Sequence, residues 1–373
     1  MPFNLKTIID YFFISLFNRL NSYDSNIRRK REIEVEGKKP SIKDVAKKAE
    51  VSTATVSNVM NASRFVKEET KLKVLKAMEE LNYRPSTVAK SLKGKDTKII
   101  GLIIPIRQND TSADFFISLA NGIESVLNTK GYRLVISNSH ENINNELEQI
   151  DMYNTQFTDY MDGLIIAPTS QNGKNVNELS YLQYPVVYVD RKPSVQNKVD
   201  TIYTNNYQIT YEAIQLMVQK GRKRIAFISG PIDVSSTIER FQAYKDVLKD
   251  NQVPFDEKIT YVGESLFESG YELTQKVLDQ EIDGLVIVNN TMSMGAYKSF
   301  KEKKVSVPKQ ISFLSYDDFQ WMSLTEPPIT TIKQPAFEMG QAAAALMLEK
   351  LENLSKDPVE ICIDSTLVIR GSL

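Results

Sequence analysis

From Thr97 onward the chain alternates continuous apolar runs with amphipathic stretches. The runs fall at 98–104, 132–136, 162–167, 185–189, 224–229 and 283–288. Unbroken apolar runs of this length predict parallel strands covered on both faces, with the amphipathic stretches as crossover helices. Residues 116–130 read as one such helix, stopped at Gly131. The pattern restarts at Arg224, and Asp283-Gly284-Leu285-Val286-Ile287-Val288 echoes Asp162-Gly163-Leu164-Ile165-Ile166-Ala167. The echo implies two similar α/β lobes sharing a cleft. At 373 residues the chain is too long for a single compact core.

In open parallel sheets, ligands sit beyond the carboxyl ends of the strands. Asp190 and Arg191 end one run, Asn289 and Asn290 another, Asp317 and Asp318 a third, and Arg240 follows Gly230-Pro231. A carboxylate, an amide and a guanidinium converging on a cleft suit a polyhydroxylated ligand, because each can engage neighbouring hydroxyls in pairs. Taken singly, each residue reads equally well as a helix cap or a surface charge.

The formal net charge of −1 conceals a division. Up to Lys95 there are 20 basic and 11 acidic residues; beyond it there are 26 basic and 36 acidic. A basic head on an acidic body suggests a polyanion-binding module. The single cysteine, Cys362, excludes an internal disulfide and a zinc finger and fits a reducing cytoplasm. The single histidine, His140, lies in a strand-to-helix loop and reads as a plain loop residue. With no second histidine, a histidine-paired metal site is not expected; no cofactor is expected either.

The basic head reads as helices. Ser41 caps the first, with Asp44 near its positive end and Val45, Ala46 and Ala49 as its apolar stripe. Ser52 caps a second over 53–60, with Val56 and Val59 inward. A third over 68–82 places Leu72, Leu75, Met78 and Leu81 on one face. Close crossing at Ala46 and Ala49 fits a helix-turn-helix. The outer face of the second helix carries Thr53, Ala54, Thr55, Ser57 and Asn58, short uncharged groups suited to phosphates and base edges. A short fourth helix starts at Pro85-Ser86 and stops at Gly94. Its Leu92 has too little apolar company to be buried alone and suits a minor-groove wedge.

Three stretches make a resemblance specific: Ile42-Lys43-Asp44-Val45-Ala46, Val51-Ser52-Thr53-Ala54-Thr55-Val56-Ser57-Asn58-Val59-Met60-Asn61, and Leu81-Asn82-Tyr83-Arg84-Pro85. The segment 41–92 resembles the head of the lac repressor (LacI/GalR) family of bacterial transcription regulators. In the body, Thr204-Asn205-Asn206, Glu239-Arg240, Tyr316-Asp317-Asp318 and Pro327-Pro328-Ile329-Thr330-Thr331-Ile332 extend it over about nine-tenths of the chain. The resemblance implies a recognition helix in the major groove using Ser52, Thr53, Ala54, Thr55, Ser57, Asn58 and Asn61. It also implies a hinge helix with Val88, Ala89, Lys90 and Leu92 in the minor groove, and ligand contacts from Phe116, Asp190, Arg240, Asn289 and Asp317. Phe116, beside Phe115, reads equally well as core. Asn58 stands where many members carry arginine; asparagine suits adenine, a bidentate pair worth about 1–3 kcal/mol of discrimination.

The expected organisation is an extension over 1–37, a helix-turn-helix head over 38–85, a hinge helix and linker over 86–96, and a two-lobed body over 97–373, built of parallel sheets like the periplasmic binding proteins. The apolar face at 8–20 is too short for a confident membrane span and lacks a signal-peptide pattern. It reads as an extension without specific role, ahead of a helix lying on a membrane surface. The expected function is a repressor controlled by a small effector, a sugar or sugar derivative. A sugar-binding receptor without a transcriptional role is the alternative. An enzyme is not expected, since no phosphate-cradling glycine loop and no nucleophile beside a base occur. The expected partners are double-stranded operator DNA, a carbohydrate effector and a second copy of the chain. No heptad tail follows the last strand, so a dimer is expected rather than a coiled-coil tetramer.

Overall fold

The structure, a computed structural model, describes residues 40–61, 64–81, 83, 97–107, 111–169, 179, 184–193, 198–353 and 357–373. The chain divides into two compact units. The extension over 1–37 and the whole of the expected hinge and linker, 86–96, lie outside the described residues. Among the described residues no helix is long and apolar enough to cross a membrane.

The smaller unit holds α1 (Ile42–Lys48), α2 (Thr53–Asn61) and α3 (Glu68–Glu80). The Ser41 N–H and hydroxyl both donate to the Asp44 carboxylate, at 2.8 and 2.6 Å, fixing the start of α1. Glu50 turns the chain in the left-handed region (φ 55°) between α1 and α2. Val45, Ala46, Ala49, Val56, Val74 and Ala77 form the core, with Met78 and Leu81 packed against it. The Leu72–Leu75 stripe is therefore corrected: Leu72 is 60% exposed and Leu75 also faces out. Positions 74, 77, 78 and 81 follow the i, i+3, i+4, i+7 spacing of a helix face, and the two stripes share Met78 and Leu81. The core takes the stripe whose small Ala77 lets α3 close on the alanines of α1. Lys48 and Glu80 add an ion pair at 2.8 Å between α1 and α3.

The larger unit contains two six-stranded sheets. The first lobe uses β1 (Ile99–Ile104), α4 (Ala113–Leu127), β2 (Arg133–Asn138), α5 (Ile143–Thr155), β3 (Gly163–Ile166), β4 (Val186–Val189) and β5 (Thr201–Thr204). The second uses α6 (Asn206–Gln219), β6 (Ile225–Ser229), α7 (Ser235–Asp250), β7 (Thr260–Val262), α8 (Phe267–Leu278), β8 (Gly284–Ile287), α9 (Asn290–Glu302), β9 (Ser312–Tyr316), α10 (Gln320–Ser323) and β10 (Thr330–Lys333). The chain then returns to the first lobe as α11 (Ala336–Glu352) and β11 (Glu360–Ile363), and ends in the second as β12 (Thr366–Val368). Three segments thus cross between lobes, near residues 205, 334 and 364. The Asn205 side chain ties two of them by accepting the Ser365 N–H at 2.8 Å.

The strand orders are β2-β1-β3-β4-β5-β11 and β7-β6-β8-β9-β10-β12, one pattern used twice. Every pairing is parallel except β10 with β12. Two expectations need correction here. The second sheet ends on an antiparallel strand, and β2 is not covered on both faces, because it is an edge strand with Val135 and Ile136 exposed. The sequence echo has a structural reason. Asp162 accepts the N–H groups of Thr97 and Lys98 at 3.0 and 2.7 Å, and Asp283 accepts those of Lys223 and Arg224 at 2.8 and 2.9 Å. Each aspartate clamps the start of its lobe's first strand, and the glycine after it begins the adjacent strand.

Helices α4 and α11 cross on Gly122 and Gly340. A Cβ on Gly340 would meet the Leu119 carbonyl oxygen at 2.1 Å, and one on Gly122 the Phe337 carbonyl oxygen at 2.0 Å. Backbone atoms cannot swing aside, so Gly340→Ala must part the two helices. The expected cost is about 1–3 kcal/mol in urea unfolding; an unchanged midpoint would show that this packing is not tight.

Candidate functional site

The carboxyl ends of both sheets face one cavity of about 100 Å³. All five residues expected to bind ligand, Phe116, Asp190, Arg240, Asn289 and Asp317, line it. They come from both lobes: Phe116 from α4, Asp190 from the end of β4, Arg240 from α7, Asn289 from the end of β8 and Asp317 from the end of β9. The position lies beyond the carboxyl ends of the strands, where open parallel sheets bind ligands.

Asp190 and Asp317 occupy equivalent places in the two lobes. Both adopt left-handed backbone, φ 68° and 61°. Each donates its N–H at 2.9 Å to the neighbouring strand, Asp190 to Ile202 and Asp317 to Ile332. Two non-glycine residues held so, at about 1–3 kcal/mol each, mark a site where geometry is imposed. Burial pushes the Asp190 carboxyl above its ordinary range; Arg191 and Arg240 pull it down, while Asp317 and Glu141 raise it further. Asp317 accepts from the Asn290 amide at 2.9 Å and the Gln334 amide at 2.7 Å.

Arg240 is buried, at 7% exposure. Its Nε and Nη2 donate to Asn206 Oδ1 at 2.9 and 2.8 Å, Nη2 also to Gln334 Oε1 at 3.1 Å, and Nη1 to the Val288 carbonyl at 3.0 Å. Its guanidinium stacks on the Tyr316 ring at 3.8 Å. Asn206 and Gln334 belong to two of the crossing segments. Asn289 both lines the cavity and caps α9, accepting the Met292 N–H at 3.0 Å. Phe116 likewise serves twice: it lies in the lobe core and lines the cavity, its ring edge-to-face with Phe115 at 5.1 Å.

Sequence reasoning missed several lining residues, among them Arg107, Glu141, Thr237 and Gln334. Arg107 and Gln334 follow β1 and β10, so the strand-end rule reaches them. Glu141 does not follow a strand end directly; it forms a two-point ion pair with Arg191, at 2.5 and 3.1 Å. Asp318, read beside Asp317, instead pairs with Arg370 at 2.6 Å, outside the cavity lining. Contacts also join the lobes across the cleft. Arg107 donates to the Glu264 carbonyl at 2.7 Å, Thr111 meets Asn290 and, at 2.6 Å, Thr291, and the Lys192 N–H donates to Ser235 at 2.8 Å. Among the described residues no histidine, cysteine or carboxylate cluster suits a metal.

In the small unit, Ser52 caps α2 by accepting the Thr55 N–H at 3.0 Å. Ser52, Thr53 and Ala54 are exposed, Thr55, Ser57 and Asn58 half-buried. The first turn of α2 has no acidic residue, so its positive end is left for an anion such as phosphate. The Asn61 side chain and residues Val88, Ala89, Lys90 and Leu92 lie outside the described set.

Comparison with known proteins agrees with this arrangement. Residues 41–86 match the bacterial regulatory proteins of the lacI family, and residues 214–373 match the periplasmic binding protein-like domain. The regulator RegA of Clostridium saccharobutylicum is 31% identical over 335 residues, covering 89% of this chain and 98% of its own. The repressor PurR of Photorhabdus laumondii is 33% identical over 336 residues, covering 89% and 96%. The chain belongs to the lacI family of bacterial regulatory proteins.

Two solved structures show the lacI-family architecture. A lac repressor dimer bound to operator and the anti-inducer ONPF superposes with a TM-score of 0.75 at 26% identity, covering 90% of this chain and 99% of that one. A complex of the transcriptional regulator CelR with cellobiose gives 0.68 at 25% identity, covering 89% and 99%. As a lacI-family member the chain is a DNA-binding transcriptional regulator and not an enzyme.

The raised Asp190 carboxyl sets a pH dependence. The folded state holds that proton to a higher pH than the unfolded chain does, so ionisation weakens the fold as pH rises through the carboxylate range. Asp190→Asn should therefore gain stability relative to the parent from about pH 4 upward and level off above the raised value. Urea unfolding of both proteins between about pH 4 and 8 measures the difference; a difference flat with pH would contradict it.

Proposed function

We propose that the chain represses transcription and that a carbohydrate or sugar derivative, bound between the lobes, controls its operator affinity. The observation that carries this reading is the meeting of Phe116, Asp190, Arg240, Asn289 and Asp317, from both lobes, at one cavity. Asp190 and Asp317 accept from sugar hydroxyls, Asn289 offers its amide, Arg240 donates, and Phe116 presents an apolar face to a ring. The cellobiose held by CelR is a carbohydrate on a related body.

On the DNA side, Ser52, Thr53, Ala54, Thr55, Ser57, Asn58 and Asn61 face the major groove, with Ser52 and the start of α2 on phosphate and Asn58 on adenine. Val88, Ala89, Lys90 and Leu92 take the minor groove. The ligand acts by shifting a population between lobe arrangements, and the coupling is reciprocal: operator must change effector affinity by the factor by which effector changes operator affinity.

The chain acts as a homodimer. Ile117, Val135 and Ile136 are exposed on the α4 and β2 edge of the first lobe, and Val262 on β7, the equivalent edge of the second. A second copy would cover these edges. Parallel sheets are rarely left with apolar side chains in water.

A thermal-shift screen against a carbohydrate panel tests the effector reading, since a ligand of the folded state raises the melting point. A hit should change operator affinity in a gel-shift or anisotropy assay, and Asp317→Ala should abolish the response while leaving effector-free operator binding intact. No sugar response, with a nucleobase hit instead, would reject the carbohydrate. Ile136→Lys should weaken the dimer at least about tenfold in sedimentation, the cost of burying an unpaired charge; an unchanged dimer would place the interface elsewhere.

A further inference from the structure

Helix α7 begins at the cleft with its positive end unanswered. Its N-cap position is Val234, which offers no side-chain cap, and its first turn carries no acidic residue. Ser236 and Thr237 in that turn are 7% and 6% exposed and line the cavity. Neither hydroxyl has a hydrogen-bond partner among the described residues. Both oxygens open on the cavity rather than being sealed in the core, so their hydrogen-bonding capacity is left to whatever fills it. Gly230 brings a third hydroxyl close: a Cβ there would lie 3.3 Å from Thr237 Oγ1 and 3.2 Å from Ser265 Oγ. Arg107 reaches the same corner, donating to the carbonyl of Glu264, the residue before Ser265.

The cavity's charges point the same way. Of its three arginines, Arg191 is matched by Glu141 at 2.5 Å. Arg107 and Arg240 have only neutral partners: a carbonyl for Arg107, and Asn206, Gln334 and a carbonyl for Arg240. Among the described residues no carboxylate lies within ion-pair distance of either. Two guanidinium groups, a helix amino end and three hydroxyls make a site for an oxyanion.

We infer that the effector carries a phosphate or carboxylate on its polyhydroxylated body. The inference rests on the cleft reading proposed above and adds the ligand's charge. The anionic group takes Arg107, Ser236, Thr237 and the start of α7. The hydroxylated body takes Asp190, Asn289 and Asp317.

The test uses the full-length chain in thermal shift and calorimetry. The probes are neutral hexoses and disaccharides, their 6-phosphates, the matching uronic acids, and inorganic phosphate alone. At least one charged sugar should bind about 10- to 100-fold more tightly than its neutral parent, the range expected for charge-assisted hydrogen bonds. The phosphate and uronic acid arms tell the two anions apart. Arg107→Gln and Thr237→Val should each bring the charged-to-neutral affinity ratio most of the way to one, whatever either does to the neutral sugar's own affinity. A neutral parent that binds equally well, or a preference that survives both substitutions, overturns the anion corner and leaves the sugar cleft standing. Inorganic phosphate binding as tightly as the sugar phosphate keeps the corner and overturns the polyhydroxylated body. Silence across the whole panel overturns both.

Discussion

The body depends on one buried cation. The Arg240 guanidinium joins α7 to Asn206 and Gln334, which lie on two of the three segments crossing between lobes. Without water, a guanidinium is tolerable only if its donors find acceptors, and here they find an amide oxygen from each of those two segments, a carbonyl and the face of Tyr316. The same group lines the cavity between the lobes. A ligand that contacts Arg240 therefore touches the group whose hydrogen bonds hold two of the crossing segments. Binding and lobe orientation share a residue, and no longer pathway between them is required.

Duplication explains why the other constraints come in pairs. Asp162 and Asp283 hold the amino ends of the two sheets; Asp190 and Asp317 stand at their carboxyl ends. The pairs differ in consequence. Asp283 fixes a turn inside the body, whereas Asp162 fixes Thr97 and Lys98, where the described body begins beyond the segment that leads from the head. Lys98 is held further by its left-handed backbone (φ 60°) and by its ammonium over the Tyr132 ring at 4.2 Å. The first described residues of the body are thus fixed to the first lobe at both backbone and side chain.

Much of this was legible in the sequence, for identifiable reasons. Parallel sheets put functional groups at strand ends, so Asp190, Asn289 and Asp317 could be read from where apolar runs stop. Asp318 could not be separated from Asp317, since only the fold shows that Arg370 claims it. Glu141, Ser236 and Thr237 were missed because their role comes from convergence across the cleft, which has no local signature. The Leu72–Leu75 stripe failed because periodicity names candidate faces and packing chooses between them. Exposure of β2 was invisible for a related reason: an apolar run does not say whether its strand is central or at an edge.

The contacts across the cleft suit a switch rather than a rigid body. Apart from the crossing segments, hydrogen bonds that join the lobes among the described residues include Arg107 on Glu264, Thr111 on Asn290 and Thr291, and the Lys192 N–H on Ser235. Hydrogen bonds of this kind are worth about 0.5–1.5 kcal/mol each, so together they supply roughly 2–6 kcal/mol. Inverting a two-state population from 1:99 to 99:1 takes about 5.5 kcal/mol. The two quantities are of one order, so a ligand that replaces part of this set can move the equilibrium without unfolding either lobe. Thr111 and Lys192 sit outside the cavity lining, whereas Arg107 both lines it and closes it. A ligand that engages Arg107 therefore competes with a lobe-to-lobe hydrogen bond, the kind of differential interaction an allosteric ligand needs.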